Sequence, residues 1–392
     1  MSNSLRGTFP LLLLLLIATG CATNEPTIQA EAQQRWDEYR AAVKFELANE
    51  KLRGGDVERA ISLAREAGAL SPDRPAHAEL LAKGYMARGD FSSARRVLDA
   101  ARRAFAGSGN LHYLMGVVHQ RDRDWPRAGA AFAEAVSADP TQLDYHIALA
   151  QAIARSDSAK AIVQLGSQTE RFDFEALFHL ALAELKRGAG DIAGACHEYD
   201  RAMELGADDH DTRESAATFH YQLGHFGRAR DLLEPLVSAI PGAASPLLLP
   251  YARCLMETGA LDLALTLLER SVDRRRDHTA AWLLLAEARA AAGDLTQAVT
   301  AANRAATLKP DSADAQLLLT ALRLAAGDPA GAIASAASSL EANPKSTEAY
   351  LLLGRVFEQM HDGPLAIEMY RQAVGIDPQC KIASELLARL TE

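Results

Sequence analysis

Cysteine is scarce in this chain: Cys21, Cys196, Cys254 and Cys380 are the only four in 392 residues, and no two form a Cys-x-x-Cys pair. That excludes a zinc ribbon or a thioredoxin-type centre and provides no disulfide framework. Aromatic residues amount to 6%. So low a share argues against sheet, because strands draw on aromatic and β-branched side chains. Basic charge is also short, with 41 Lys and Arg against 51 Asp and Glu and a net charge of -10. Such a body repels phosphate backbones and anionic head groups, so nucleic acid is not an expected partner. No His-Glu-x-x-His stretch occurs, and the glycine-rich "GAGDIAG" follows a helical pattern where a dinucleotide loop would follow a strand. The nearest histidines, His220 and His225, are five apart and do not share a helical face, and His210 sits in "DDHD", a solvated turn. "DRRRD", Asp273 to Asp277, reads as a solvated loop. No catalytic centre, metal site, cofactor or small-molecule substrate is expected.

Long apolar runs are absent except at the start, where Leu11 to Ala18 gives eight residues. A bilayer-spanning helix needs about 20. Arg6 precedes the run and Thr19 and Gly20 close it, the layout of a secretory signal peptide over residues 1–20. "ATGC", Ala18 to Cys21, resembles the bacterial lipobox, although Ala18 stands where leucine is usual. The resemblance implies cleavage before Cys21 and lipidation of its thiol. Two or more acyl chains hold a protein on a membrane stably. Ala22 in place of aspartate points to the outer membrane, facing the periplasm. Cleavage after Ala22, with release of a soluble periplasmic protein, is the alternative. Residues 21–40 read as lipidated cysteine, polar tether and start of the first helix.

What the chain has in abundance is alanine and leucine in a repeating frame. "AAWLLLAEARAAAGDLTQAVTAANRAATLKPD" from Ala280 and "EAYLLLGRVFEQMHDGPLAIEMYRQAVGIDPQ" from Glu348 stand two 34-residue steps apart. The frame fits units starting at Ala41, Pro75, Gly109 and Leu143, and again at Ser245, Thr279, Ala313 and Thr347, with less regular units near Phe174 and His210. The eighth position is small throughout: Ala48, Ala82, Gly116, Ala150, Ala181, Ala217, Ala252, Ala286, Thr320 and Gly354. A second small residue, such as Ala60, Ala94, Ala298 or Ala366, stands at the twentieth. Paired small positions amid apolar residues three and four apart describe two helices packed closely. Gly-Asp pairs such as Gly89-Asp90 and Gly293-Asp294 close one helix and cap the next. Departures fall in the middle. The unit from Leu143 reads three residues short, the next carries a two-residue insertion in "KRGAGDIAGA", and Pro235 and Pro250 lie inside helices.

This array resembles the tetratricopeptide repeat family over nearly all of the mature chain. The family's aromatic at position four survives as Trp282 and Tyr350, with His112 and His146 there in other units. The resemblance implies an all-α superhelical solenoid of about ten helix-turn-helix repeats. Residues 41–173 form N-terminal units, 174–244 irregular units, 245–380 regular C-terminal units, and 381–392 a capping helix. It further implies a groove lined by each first helix that grips extended or helical segments of other proteins. Leu249, Leu283, Leu317 and Leu351 recur there at the fifth position, with Met256 and Leu324 at the twelfth and Arg355, Glu287, Glu358 and Gln359 as a polar rim. Packing against the neighbouring unit is the alternative use for these leucines. A carboxylate clamp for chaperone tails is not expected, since Phe45 and Leu80 occupy places where lysine and asparagine belong. The expectation is a non-enzymatic, membrane-anchored interaction scaffold serving pilus or secretin assembly, polysaccharide export or cell-wall enzyme recruitment. A structural, self-associating role is the alternative.

Overall fold

The computed structural model describes residues 25–238 and 245–391. The leader and Cys21 lie outside them. Among the described residues there are twenty-two α-helices and no strand, as the repeat pattern requires. They fall into two compact units, Met1–Asp191 and Ile192–Glu392. The first unit holds α1 (Glu25–Arg53), α2 (Val57–Leu70), α3 (Pro75–Ala87), α4 (Phe91–Ala104), α5 (Gly109–Arg121), α6 (Trp125–Ala138), α7 (Leu143–Ala154), α8 (Ser158–Gly166), α9 (Thr169–Phe172) and α10 (Ala176–Gly188). The second holds α11 (Ile192–Glu204), α12 (His210–Gln222), α13 (Phe226–Ser238), α14 (Leu248–Glu257), α15 (Leu261–Arg274), α16 (Thr279–Ala291), α17 (Leu295–Leu308), α18 (Ala313–Ala325), α19 (Pro329–Ala342), α20 (Thr347–Gln359), α21 (Gly363–Ile376) and α22 (Lys381–Thr391). Within each unit a helix packs chiefly on its chain neighbours, which is the solenoid arrangement.

The hairpin is set by its turn and its small residues. Gly89 takes φ +83, a left-handed conformation that glycine adopts without penalty, and closes α3 through Asp90 N–H donating to the Tyr85 carbonyl at 2.9 Å. Asp90 then accepts from the Ser93 amide at 3.0 Å and starts α4. The same glycine-aspartate hinge recurs at Gly293-Asp294 and Gly327-Asp328. Across the hairpin, the eighth position faces the second helix so closely that size is dictated. A Cβ on Gly354 would lie 2.3 Å from the ring of Tyr370, and one on Gly116 would lie 2.4 Å from Phe132. Both rings are fully buried, so backbone approach and aromatic burial are gained together.

Four expectations change. The segment Glu25–Gln34, read as tether, is already helix: α1 runs 29 residues. Pro26 stands in its first turn, where no amide is needed, and Gln33 and Gln34 donate to Asp37 and Glu38 one turn on. Its outer side exposes Trp36 stacked on Tyr39, with Ile28 and Val43 also uncovered. Second, the fifth unit starts at Ala176 and not Phe174. Its tightly packed eighth residue is therefore Ala183, fully buried, while Ala181 is partly exposed. Third, "KRGAGDIAGA" carries no insertion, because α11 begins sixteen residues after α10, as α4 does after α3. The irregularity belongs to the unit before: α7 is 12 residues where its counterparts α3 and α5 have 13, and its partner helix breaks into α8 and α9. Fourth, α14 starts at Leu248, so Pro250 sits in the first turn and displaces no helical hydrogen bond. Pro235 does lie inside α13. The expected capping helix is α22, which packs on α21 and starts 34 residues after α20. It fills the place of an eleventh first helix.

Candidate functional site

In the second unit the first helices of successive repeats touch directly, α14 on α16, α16 on α18 and α18 on α20. They make one continuous face. Leu249, Leu283, Leu317 and Leu351 fall on it at 34-residue steps, and each is half-buried. Met256 and Leu324 are half-buried too. Leu249, Met256 and Leu283 pack part of their surface on the core formed by Leu248, Leu268, Leu284, Leu285 and their alanine neighbours. The residues that are fully buried come from other positions of the same helices, Ala252, Ala286, Leu319 and Leu353 among them. The ladder is thus partly committed to packing and partly presented to solvent.

Charge on this face is arranged by the same repeat. Arg253 and Glu287 both hold the ninth position of their units and pair across α14 and α16 at 2.5 Å. Burial pulls the Arg253 guanidinium down, but the hydrogen bond and charge of Glu287 hold it above its ordinary value. Arg355, the ninth residue of α20, is exposed and forms no ion pair among the described residues. Glu358 accepts from the Tyr370 hydroxyl at 2.7 Å and pairs with Arg389 of α22. The last helix therefore engages the rim at this end, while Gln359 stays exposed.

The histidines are less scattered than the sequence suggests. His112, His146 and His179 hold the fourth position of their units, and each donates a ring N–H to the carbonyl six residues earlier, in Ala106, Pro140 and Asp173, at 2.9, 3.0 and 3.0 Å. Trp282 does the same to Arg276 at 3.1 Å. Position four is thus a stitch that satisfies a carbonyl in the turn between repeats. His210, expected in a turn, instead opens α12 beside Asp209, which caps the Asp211 and Thr212 amides; Arg274, Arg275 and Arg276 are exposed as expected, although Asp273 and Arg274 form the end of α15 and not a loop. Cys254 is buried in the core and its thiol is pushed up to about 11 by that burial.

One constellation was not visible in the sequence. Cys196 and Asp200 on α11 and His220 on α12 bring ligand-type atoms within 4.8 Å of one another. His225, expected to lie off His220's helical face, comes to 3.4 Å from it, ring nitrogen to ring nitrogen. The helix ends between them: Gly224 takes φ +74, and the His225 amide bonds back to the His220 carbonyl at 2.8 Å.

Family models described as tetratricopeptide repeat match residues 51–117, 117–281, 251–313 and 323–390, together most of the chain. No curated protein matches. Among solved structures the chain is similar to the APC/C hetero-tetramer Cut9-Hcn1, at 13% identity and TM-score 0.44, over 90% of this chain and 96% of that one. It is also similar to TTC0263, a thermophilic TPR protein of Thermus thermophilus, at 21% identity and TM-score 0.39, over 46% of this chain and 98% of that one. A third likeness is Naa15/Naa10 bound to HypK-THB, at 15% identity and TM-score 0.37, over 90% of this chain and 66% of that one.

Proposed function

Because the chain belongs to the tetratricopeptide repeat family, we propose that it is a membrane-tethered, periplasm-facing scaffold that grips segments of partner proteins along the α14–α20 face. Repeats of this kind bind other proteins, and arrays made of them alone are typically non-catalytic. The observation carrying the groove reading is the ladder of half-buried leucines at 34-residue steps on one continuous face, beside an exposed arginine. An extended or helical segment burying that ladder gains about 25 cal/mol per Å² of apolar surface removed from water. Acidic residues on such a segment would meet Arg355. Support for the tether comes from Arg6, the apolar run and Cys21. No helix among the described residues is long and apolar enough to cross a membrane, so those residues supply no span of their own. The reading fits a part in pilus or secretin assembly, polysaccharide export or recruitment of cell-wall enzymes.

The trial is Leu283→Glu with Leu317→Glu in the full chain, followed by cross-linking to partners in envelope extracts. Partner capture is expected to vanish while helicity stays close to the parent. Capture that survives the double change removes the groove from this face.

A further inference from the structure

We propose that Cys196, Asp200 and His220 form a binding site for a zinc-class divalent ion, with His225 as the group that orients His220. This site stands apart from the scaffold groove and is built from different residues. Cys196 and Asp200 are four apart on α11 and share one face; His220 approaches from α12. Its Nε2 lies 3.0 and 3.2 Å from the two Asp200 oxygens, and the three ligand-type atoms are mutually within 4.8 Å. Tetrahedral zinc with bonds of about 2.0–2.3 Å places its ligand atoms roughly 3.3–3.7 Å apart. Small side-chain adjustments therefore suffice. Cys196 and His220 are buried, and Asp200 is partly open to solvent, which provides a route in.

A bland account exists for part of this arrangement. Arg65–Tyr85 and Glu269–Arg289 pair across the same two repeat positions, again twenty residues apart, as simple links between neighbouring hairpins. What those links lack is the sulfur and the second imidazole. Outside the short unit from Leu143, five other units carry the aliphatic residues Ile61, Leu265, Val299, Ile333 and Ile367 at the place of Cys196 and three carry Arg95, Gly129 and Arg230, none of them a thiol, and at the place of His225 seven carry an aspartate, Asp90 and Asp294 among them. Two departures from the array's own pattern thus converge on one histidine. The remaining polar contacts suit a metal centre. His220 Nδ1 faces His225 Nδ1 at 3.4 Å, so a second imidazole stands in the role that a carboxylate, carbonyl or water ordinarily fills beside a metal-bound histidine. Arg228 holds Asp200 Oδ1 at 3.3 Å, leaving Oδ2 to turn to the ion. Thiolate and imidazole select zinc over calcium or magnesium, which take oxygen ligands. On binding, the Cys196 S–H bond is replaced by a sulfur–metal bond and the proton leaves to solvent, while the His220 proton passes from Nε2, where it faces Asp200, to Nδ1, where it faces His225, freeing the Nε2 lone pair for the ion. A fourth position stays with water.

The experiment titrates the chelator-stripped full chain with cobalt(II), then displaces it with zinc(II). A single equivalent should bind with a thiolate-to-cobalt charge-transfer band that zinc abolishes. Cys196→Val, which installs the kind of residue five of those units carry, should fold normally and lose the band. His225→Ala should weaken affinity by about 10–100-fold, and Cys254→Ser should leave it unchanged. Absence of any stoichiometric uptake by the parent chain overturns the proposal without reference to a variant. A Cys196→Val chain that binds cobalt as tightly as the parent, with the same band, overturns it equally.

Discussion

Arg253 and Glu287 stand 34 residues apart, hold the same place in successive repeats, and meet at 2.5 Å between α14 and α16. One side chain from each of two equivalent positions thus closes the distance between hairpins. Their side chains are 31% and 35% exposed, so solvent screens much of the attraction. A double-mutant cycle with Arg253→Ala and Glu287→Ala should return a coupling of about 0.5–1 kcal/mol in urea unfolding. It should shrink in high salt; a coupling indistinguishable from zero at low salt removes the pair as a link.

Gly354→Ala should destabilise the chain by about 1–3 kcal/mol, the ordinary penalty for overfilling a packed core. The new methyl would meet the Tyr370 ring, which is fully buried and bonded to Glu358. In a Tyr370→Leu background the same change should be milder. Equal losses in both backgrounds, measured by denaturant midpoint, would show that the ring is not what excludes the methyl.

Acid should loosen the turns before the cores. Ser93, by its hydroxyl and then its amide, holds the Asp90 carboxylate below its ordinary value; Thr141 acts likewise on Asp139, and the Thr212 amide and hydroxyl on Asp209. A depressed folded-state value means the unfolded chain takes up protons first. The stabilisation is therefore complete above the unfolded value of about 3.9 and drains away as pH falls through the folded ones. Denaturant midpoints should hold from about pH 7 to about 5 and fall steeply below about 4. Asp90→Asn, which can still cap, should flatten that fall.

Cys21→Ser should move the chain from the membrane pellet to the soluble fraction and abolish incorporation of labelled fatty acid. A variant that still sediments with outer membranes would mean the chain is held there by something other than a thiol-linked lipid.

The hairpins were legible because their determinants are local: small residues at positions eight and twenty, and a glycine-aspartate hinge, speak for themselves in one dimension. The frame slipped by two at Phe174 for a physical reason. Ala181 and Ala183 are both small, and only packing distinguishes the buried one. Pro250 was misplaced because composition does not reveal that α14 starts late. The Cys196–Asp200–His220 cluster was hidden because it joins two repeats. Sequence spacing within a helix pairs residues three or four apart, whereas this contact spans twenty. The links at Arg65–Tyr85 and Glu269–Arg289 show that the rule exists, but only once the hairpins are stacked. The spacing of His220 and His225 argues against their meeting on one helix, and their approach was not legible because it depends on where that helix stops.

The stitch at position four has a mechanical side. Where a helix holds mainly its chain neighbours, the units that carry His112, His146, His179 and Trp282 are each also sewn to the preceding turn by one ring nitrogen and resist tension locally. Stretched from its two ends, such a chain should extend in a staircase of similar steps, each the length of one hairpin. A molecule of this build can absorb a pull by surrendering a segment and winding it back, keeping the remainder folded.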